Sequence, residues 1–147
     1  MATNKNYTVR FRRYRLGKTD YRARLRLLLS RKNRLVVRKT LNYIYLLIIS
    51  YDKNGDKILF ALNSGKLKEY GWNYKLNNLP ASYLTGLLFG LETKNKNIKE
   101  VILDLGLRNS IKGSSIYAAL KGVIDSGINL PYNENILPKE DRINGKH

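Results

Sequence analysis

The distribution of charge is the feature that most constrains this 147-residue chain. Its first forty residues contain fourteen lysines and arginines and a single acidic residue, Asp20, a net charge of +13. The other 107 residues contain fourteen basic and ten acidic residues and share only +4. Self-repulsion of this size opposes compaction unless a polyanion neutralises it, and neutralising phosphates releases condensed counterions. The imbalance therefore predicts a nucleic acid as the partner.

Composition limits the remaining classes of function. A chain of this length with 43% hydrophobic residues is long enough to bury a core as one domain. It has no cysteine, and its one histidine is His147 at the end of the chain. Thiolate or histidine metal sites and catalytic triads are therefore not expected. We predict no cofactor and no small-molecule substrate.

The apolar segments are too short for a membrane. The N-terminus lacks the apolar run of a secretory signal, which predicts a cytoplasmic protein. The strongest apolar run, YIYLLIISY at residues 43–51, is well short of the roughly twenty residues that a spanning helix needs. Its β-branched and aromatic residues indicate a strand. We expect no membrane partner.

Residues 1–18 are predicted to form an extended basic arm. The segment lacks sustained periodicity and places aromatic residues between its arginines, so it buries too little apolar surface to order alone. Guanidinium planes and tyrosine rings both stack on unpaired bases, as in recognition of irregular RNA. The alternative is a solvated basic tail. The cations of this segment that we consider are Arg10, Arg12, Arg13, Arg15 and Lys18.

A helix is predicted from about residue 19 to residue 30. Thr19 is the expected N-cap, with Asp20 in the first turn. Tyr21, Leu25 and Leu28 form an apolar stripe that we expect to dock inward, and the arginines then point outward. An ordinary amphipathic surface helix is the alternative, but like charges at i, i+4 destabilise it and so favour an external anion. The arginines on the other faces are Arg22, Arg24 and Arg26.

The next segment predicts a three-stranded antiparallel meander. Residues 34–39, 42–51 and 57–62 indicate the strands, and Asn54-Gly55 is typical of a tight hairpin turn with positive φ angles. The central strand is almost wholly apolar, so we expect helices on both faces of the sheet.

Three helical segments and one further strand follow. A short helical turn is expected at residues 64–70, and Pro80 begins a helix in which Gly86 and Gly90 share one face and allow close packing. Trp72 is expected to be a core anchor. Residues 100–105 predict a buried strand, and a glycine-bounded loop then leads to a helix that ends before Gly127. The loop cations Arg108 and Lys112 either belong to a plain connection or hold a phosphate at the helix N-terminus.

Six pieces of the chain, in order and at compatible spacing, resemble one known family. This family is the ribosomal large-subunit protein eighteen family in its archaeal type. The resemblance spans nearly the whole chain. The pieces are YTVRFRR at 7–13, GKTDYRARL at 17–25, RLVVR at 34–38, EYGW at 69–72, SYLTGLL at 82–88 and G-S-x-x-Y-A-x-x-x-G-x-x-D-S-G at 113–127.

The resemblance implies a structural protein, not an enzyme, that binds 5S rRNA and sits with it in the central protuberance of the large ribosomal subunit. It implies 23S rRNA and neighbouring ribosomal proteins as further partners, and a three-layer α/β/α sandwich with a mixed sheet of the ribonuclease H-like type. We therefore divide the chain into an arm (1–18), an α/β globular domain (19–130) and an irregular tail (131–147). Besides the cations and Tyr21 above, the predicted rRNA contacts are Arg31, Lys32, Arg34, Arg38, Lys39 and Thr40.

Two other functions stay open. Ribonuclease H-like sheets often carry metal-binding carboxylates, so a metal-dependent nuclease is one alternative. Its carboxylates must converge to hold ions about 4 Å apart. Asp104 ends a strand, whereas Asp52 and Asp56 are expected in an exposed turn, so we expect Asp104 to brace its own loop. The other alternative is non-specific binding of nucleic acid through the arm.

Overall fold

A computed structural model describes residues 8–146, and from residue 21 onward its main helices and strands follow the predicted order. The first seven residues of the predicted arm and His147 lie outside the described residues. Two 3-10 helices, Ser64–Tyr70 and Glu134–Ile136, accompany the main elements. The main elements are α1 (Arg12–Arg15), α2 (Tyr21–Leu29), β1 (Asn33–Lys39), β2 (Ile44–Ser50), β3 (Lys57–Asn63), α3 (Leu79–Lys94), β4 (Val101–Asp104), α4 (Ser115–Asp125) and α5 (Glu140–Ile143).

The four strands form one mixed sheet in the order β3-β2-β1-β4. The pairs β1–β2 and β2–β3 are antiparallel, which confirms the meander, and β4 pairs with β1 in parallel. The turn between β2 and β3 is wider than predicted, because the chain leaves the ladder at Ser50 and returns at Lys57. Only Gly55 has a positive φ in this turn, and its N–H donates to the carbonyl oxygen of Asp52 at 3.1 Å.

One face of the sheet carries the hydrophobic core. Alternate residues of β1 and β2, among them Leu35, Val37 and Leu46, point toward α3 and α4 and are fully buried. Phe89 of α3 and Leu120 of α4 pack against them. This face is closed by the two helices in the way that the sequence predicted.

Glycines allow α3 and α4 to approach each other closely. A Cβ atom built on Gly86 would lie 2.0 Å from the carbonyl oxygen of Ala119, and one on Gly122 would lie 2.2 Å from that of Tyr83. Such distances are far inside van der Waals contact, so each position accepts only a hydrogen atom. The predicted packing role of Gly86 is confirmed.

The second face of the sheet is covered only in part. It presents Arg34, Val36 and Arg38 of β1, and α2 lies over it without burying any of its nine residues. The predicted inward stripe on α2 is wrong at Leu25, which is 60% exposed, whereas Tyr21 and Leu28 are half-buried. Ala23 and Leu27 of the same helix line the cleft. The α/β class and the mixed sheet are confirmed. Because α2 covers the second face only in part, a cleft remains between this helix and the sheet.

Several local predictions are refined at the two ends of the chain. Asp20, and not Thr19, is the N-cap of α2. Within the predicted arm, Arg12–Arg15 form a helical turn where an extended chain was expected. In the tail, α5 buries Ile143, so that part of the predicted irregular segment docks on the rest of the protein.

No helix within residues 8–146 has the length and apolarity to cross a membrane.

Trp72 is a half-buried anchor at the edge of the core. It packs against a small cluster of Leu67, Leu76 and Ala81, beside the predicted 3-10 helix. Its indole N–H donates to the carbonyl oxygen of Lys75 at 3.2 Å. Trp72 therefore anchors this small cluster at the edge of the protein and not the main core, and its indole N–H keeps a polar partner.

Candidate nucleic-acid interface

A cleft of about 780 Å³ opens between the second face of the sheet and the chain segment that includes α2. Its floor contains apolar side chains such as Val36 and Leu103, and three carboxylates reach it. Its remaining wall is strongly basic, with residues from α1, α2, β1 and the two loops that follow α1 and β4. The basic side chains that line it are Arg13, Lys18, Arg24, Arg26, Arg34, Arg38 and Arg108.

The three carboxylates of the cleft already have partners. Asp20 caps α2 by accepting the backbone N–H groups of Arg22 and Ala23 at 2.9 and 3.1 Å. Asp56 and Asp104 are bound by arginines, as described below. The unpaired charge at the cleft is therefore positive, and an anion is the ligand that this arrangement favours.

Two arginines and two aspartates form a continuous series of ion pairs, which we name the ion-pair chain. Arg24 of α2 binds Asp56 through both terminal nitrogens, at 2.7 and 2.8 Å. Arg34 of β1 joins Asp56 at 2.6 Å to Asp104 of β4 at 2.9 Å. Hydrogen bonds from Arg24, and then from Arg34, lower the pKa of Asp56 although burial opposes the shift. The same pairing raises the pKa of Arg24.

Arg34 is a correction to the predicted rRNA contacts. Its side chain is only 3% exposed and lies between two carboxylates, where it is not accessible to a phosphate. Asp56 lies in the exposed turn as predicted, but the sequence does not predict that its carboxylate pairs with two arginines. Strand alternation, which places Arg34 on the face opposite Leu35, was the available signal.

Arg38 and Arg108 are brought together at the rim of the cleft. Arg38 donates to the carbonyl oxygens of Val37 and Asp104 at 2.9 and 3.0 Å, yet its side chain is 40% exposed. Arg108 donates to the carbonyl oxygen of Lys39 at 2.8 Å. The geometry fixes both guanidinium groups and leaves part of each facing solvent.

The predicted phosphate loop is not assembled as a unit. Arg108 lines the cleft, whereas Lys112 is exposed outside its lining. At the start of α4 the Nζ of Lys39 donates to the Ser115 hydroxyl oxygen at 2.8 Å. Ser114, the N-cap residue, makes no side-chain capping bond.

Most arginines of the arm and α2 are exposed. Within residues 8–146, Arg22 and Arg26 have no carboxylate within ion-pair distance. Arg10 lies over the ring of Tyr14 at 4.5 Å from its centroid, and Arg13 donates to the Thr19 hydroxyl oxygen at 2.9 Å. The other exposed cations of this region are Arg12, Arg15, Lys18 and Arg31.

The remaining predicted contacts have local partners. Tyr21 is half-buried, and its ring lies 5.3 Å from that of Phe11. Lys32 forms an ion pair with Glu100. The Thr40 hydroxyl group donates to the carbonyl oxygen of Tyr43 and accepts the N–H of the same residue, both at 3.0 Å, so it braces the β1–β2 turn.

Of the carboxylates that the nuclease alternative invokes, Asp56 and Asp104 both bind Arg34, which lies between them, and Asp52 pairs with Lys57. Asp104 also accepts the N–H of Gly106 at 2.8 Å, so its predicted loop-bracing role is confirmed. A guanidinium group thus occupies the place where a two-metal nuclease holds a cation between carboxylates. Within the described residues, no three side chains of the His, Cys, Asp or Glu type come together as a metal site.

Comparison with known proteins decides the family. The family model described as "Ribosomal large subunit proteins 60S L5, and 50S L18" matches residues 5–100 and 91–133. The chain belongs to this family. Three relatives, each a "Large ribosomal subunit protein uL18", come from Korarchaeum cryptofilum, Methanococcoides burtonii and Methanococcus maripaludis. They are 51%, 47% and 46% identical over all 147 residues, and the matches cover 75%, 85% and 76% of the relatives. The L5/L18 family assignment confirms the resemblance seen in the sequence, including its archaeal type.

Proposed function

We propose that this protein is a structural constituent of the large ribosomal subunit that binds 5S rRNA and helps attach it to 23S rRNA in the central protuberance. It acts without catalysis, in the cytoplasm, beside neighbouring ribosomal proteins. The observation that carries this proposal is the basic cleft, in which the three carboxylates are already paired and the surplus arginines face outward. Membership of a family of large-subunit ribosomal proteins supports the ribosome as the place where the protein acts.

The proposed contact combines phosphate binding with recognition of unpaired nucleotides. Arg22 and Arg26 stand on the exposed side of α2, where they can neutralise backbone phosphates. Phe11 and Tyr14 are exposed beside the arginines and offer rings on which bases can stack. The cleft has a volume of about 780 Å³ and an apolar floor, so it suits an unpaired nucleotide better than a regular duplex.

The finer architecture belongs to the same proposal. We propose that residues 1–18 act as the rRNA-binding arm, residues 19–130 as the globular domain and residues 131–147 as the tail, on a sheet of ribonuclease H-like type. The one-sided packing of α3 and α4 supports it, since this packing leaves the opposite face of the sheet to the basic segment.

The salt dependence of 5S rRNA binding tests the phosphate contacts. The slope of log affinity against log salt should be about 0.7 to 0.9 per phosphate neutralised. Arg22→Gln with Arg26→Gln should lower both the affinity and this slope. Lys68→Gln with Lys75→Gln removes the same charge from the segment that precedes α3 and should change the slope little. Salt-independent affinity in the wild type would contradict the proposal.

Competition between RNA and DNA tests specificity. The protein should retain labelled 5S rRNA when unlabelled duplex DNA of equal length is added in large excess, because base and shape contacts add to the phosphate term. Equal affinities for the two nucleic acids would instead show a non-specific binding protein.

A further inference from the structure

Helix α2 has no fully buried residue, and an ion pair links it to the sheet side of the cleft. None of its nine residues is buried, and Leu25 and Leu29 are 60% and 73% exposed. Among the described residues, the hydrogen bonds between α2 and the strand side of the cleft both run from Arg24 to Asp56. A surface helix ordinarily docks through an apolar stripe, so the position of α2 depends unusually on one ion pair.

The carboxylate of Asp56, which binds Arg24, is also bound by an arginine of the sheet. Arg34 is 3% exposed and holds Asp56 at 2.6 Å. Asp104 holds Arg34 from the other side at 2.9 Å and accepts the N–H of Gly106 at 2.8 Å. The ion-pair chain therefore runs from α2 through the β2–β3 turn, β1 and β4 to the loop after β4. Its pairs are buried or partly buried, and such pairs are screened by salt less than exposed pairs.

We propose that Asp56, Arg34 and Asp104 are positioning residues for rRNA binding, which hold α2 so that its free arginines stand in fixed places above the cleft. This inference rests on the proposed rRNA function. It makes a counterintuitive claim, namely that two acidic residues at the centre of a basic face raise the affinity for a polyanion. A helix fixed before binding need not be ordered during binding, and preorganisation of this kind strengthens association.

The variant Asp56→Asn separates this claim from simple charge counting. It removes one negative charge from the basic face, so the net charge rises by one. This change by itself strengthens binding of RNA by a few-fold at most in water. Loss of the fixed helix should outweigh that gain and weaken binding of a 5S rRNA transcript about tenfold. Asp52→Asn is the matched control, because Asp52 lies in the same turn and its ion pair among residues 8–146 is with the exposed Lys57. It should bind as tightly as the wild type or slightly tighter.

Three readouts show whether the effect comes from position. The salt slope of Asp56→Asn should fall by about one phosphate equivalent although its net charge is higher. Stoichiometric titration should show an unchanged active fraction, which a general loss of folding would reduce. Hydrogen exchange of the α2 amides should be faster in the free variant, with the β1 and β2 amides unchanged. Asp56→Glu keeps the carboxylate and should restore most of the affinity and slope.

Each result has a defined meaning. Equal or tighter binding by Asp56→Asn than by Asp52→Asn, with the wild-type slope, would overturn the inference while leaving the proposed function intact. A wild-type protein that does not bind 5S rRNA would instead remove the proposed function. If Asp56→Asn does not fold, Arg24→Leu tests the same contact from the helix side. Its slope should fall by more than that of Arg22→Leu, and an equal or smaller fall would contradict the inference.

Discussion

At the scale of single residues, a methyl group at Gly86 would meet the carbonyl oxygen of Ala119 at 2.0 Å. We predict that Gly86→Ala lowers the free energy of unfolding by about 2 kcal/mol, since overpacking costs about 3 kcal/mol and the better helix propensity of alanine returns about 1. Leu91→Ala, on the same helix at a side chain that is 50% exposed, should change it by less than about 1 kcal/mol. Urea unfolding of both variants measures the difference, and equal values would contradict the close contact.

The lowered pKa of Asp56 predicts how stability depends on pH. Because the pKa is lower in the folded chain than in the unfolded chain, where it is about 3.9, the contribution of Asp56 is complete above about pH 4. It is lost as the pH falls through the folded value. Asp56→Asn should therefore show a shallower loss of stability below about pH 4, measured as the urea midpoint across the acid range. The change should exceed that of Asp52→Asn, whose pKa is also lowered but whose side chain is more exposed to solvent.

Arg34 shows why some residue roles were not predictable. Alternation along β1 placed it on the face opposite the core, but its two carboxylate partners lie 22 and 70 positions away in the sequence. A local pattern does not record such distant partners. The sequence alone therefore predicts an rRNA contact for this arginine of a basic segment, whereas the fold uses it as an internal connection.

At the scale of elements, the sequence predicted the meander, α3 and the β4-loop-α4 unit because local signals define them. Alternating apolar residues, the glycine of the β2–β3 turn and the first-turn proline of α3 act within a few positions of their elements. The prediction of which face of α2 docks on the sheet was wrong at Leu25 for a physical reason. Leu25 is exposed, whereas Ala23 lines the cleft and the adjacent Arg24 pairs with Asp56, a partner 32 positions away that no local pattern records.

The cleft beneath α2 gives a prediction about this element. Ala23 faces the cleft and Leu25 is exposed on another side of the same helix. Ala23→Trp should fill the cleft and weaken 5S rRNA binding about tenfold, because an inserted nucleotide contributes stacking and apolar contact there. Leu91→Trp adds the same ring at a half-exposed position of α3, on the opposite face of the sheet, and should bind about as well as the wild type. Fluorescence anisotropy at fixed salt compares them, and matching affinities would show that the cleft stays empty in the complex.

At the scale of the whole molecule, the net charge of +17 predicts opposite effects of salt on the free and bound protein. Between about 0.01 M and about 1 M NaCl the Debye length falls from about 30 Å to about 3 Å, so self-repulsion weakens. The melting temperature of the free protein should rise by a few degrees. That of the 5S rRNA complex should fall, because ligand stabilisation disappears as the RNA dissociates. Calorimetry across this range should show the two values converging, and a free protein that melts lower at high salt would contradict the prediction.

The unequal faces of the sheet also set an order of events in time. One face is closed by α3 and α4 through contacts that allow no extra methyl group, so this half of the molecule can reach its final packing without any partner. The other face has a helix with no buried residue. Folding and docking are thus separable steps: we expect a newly made chain to complete its apolar half and set α2 through the ion-pair chain, and RNA to bind afterwards.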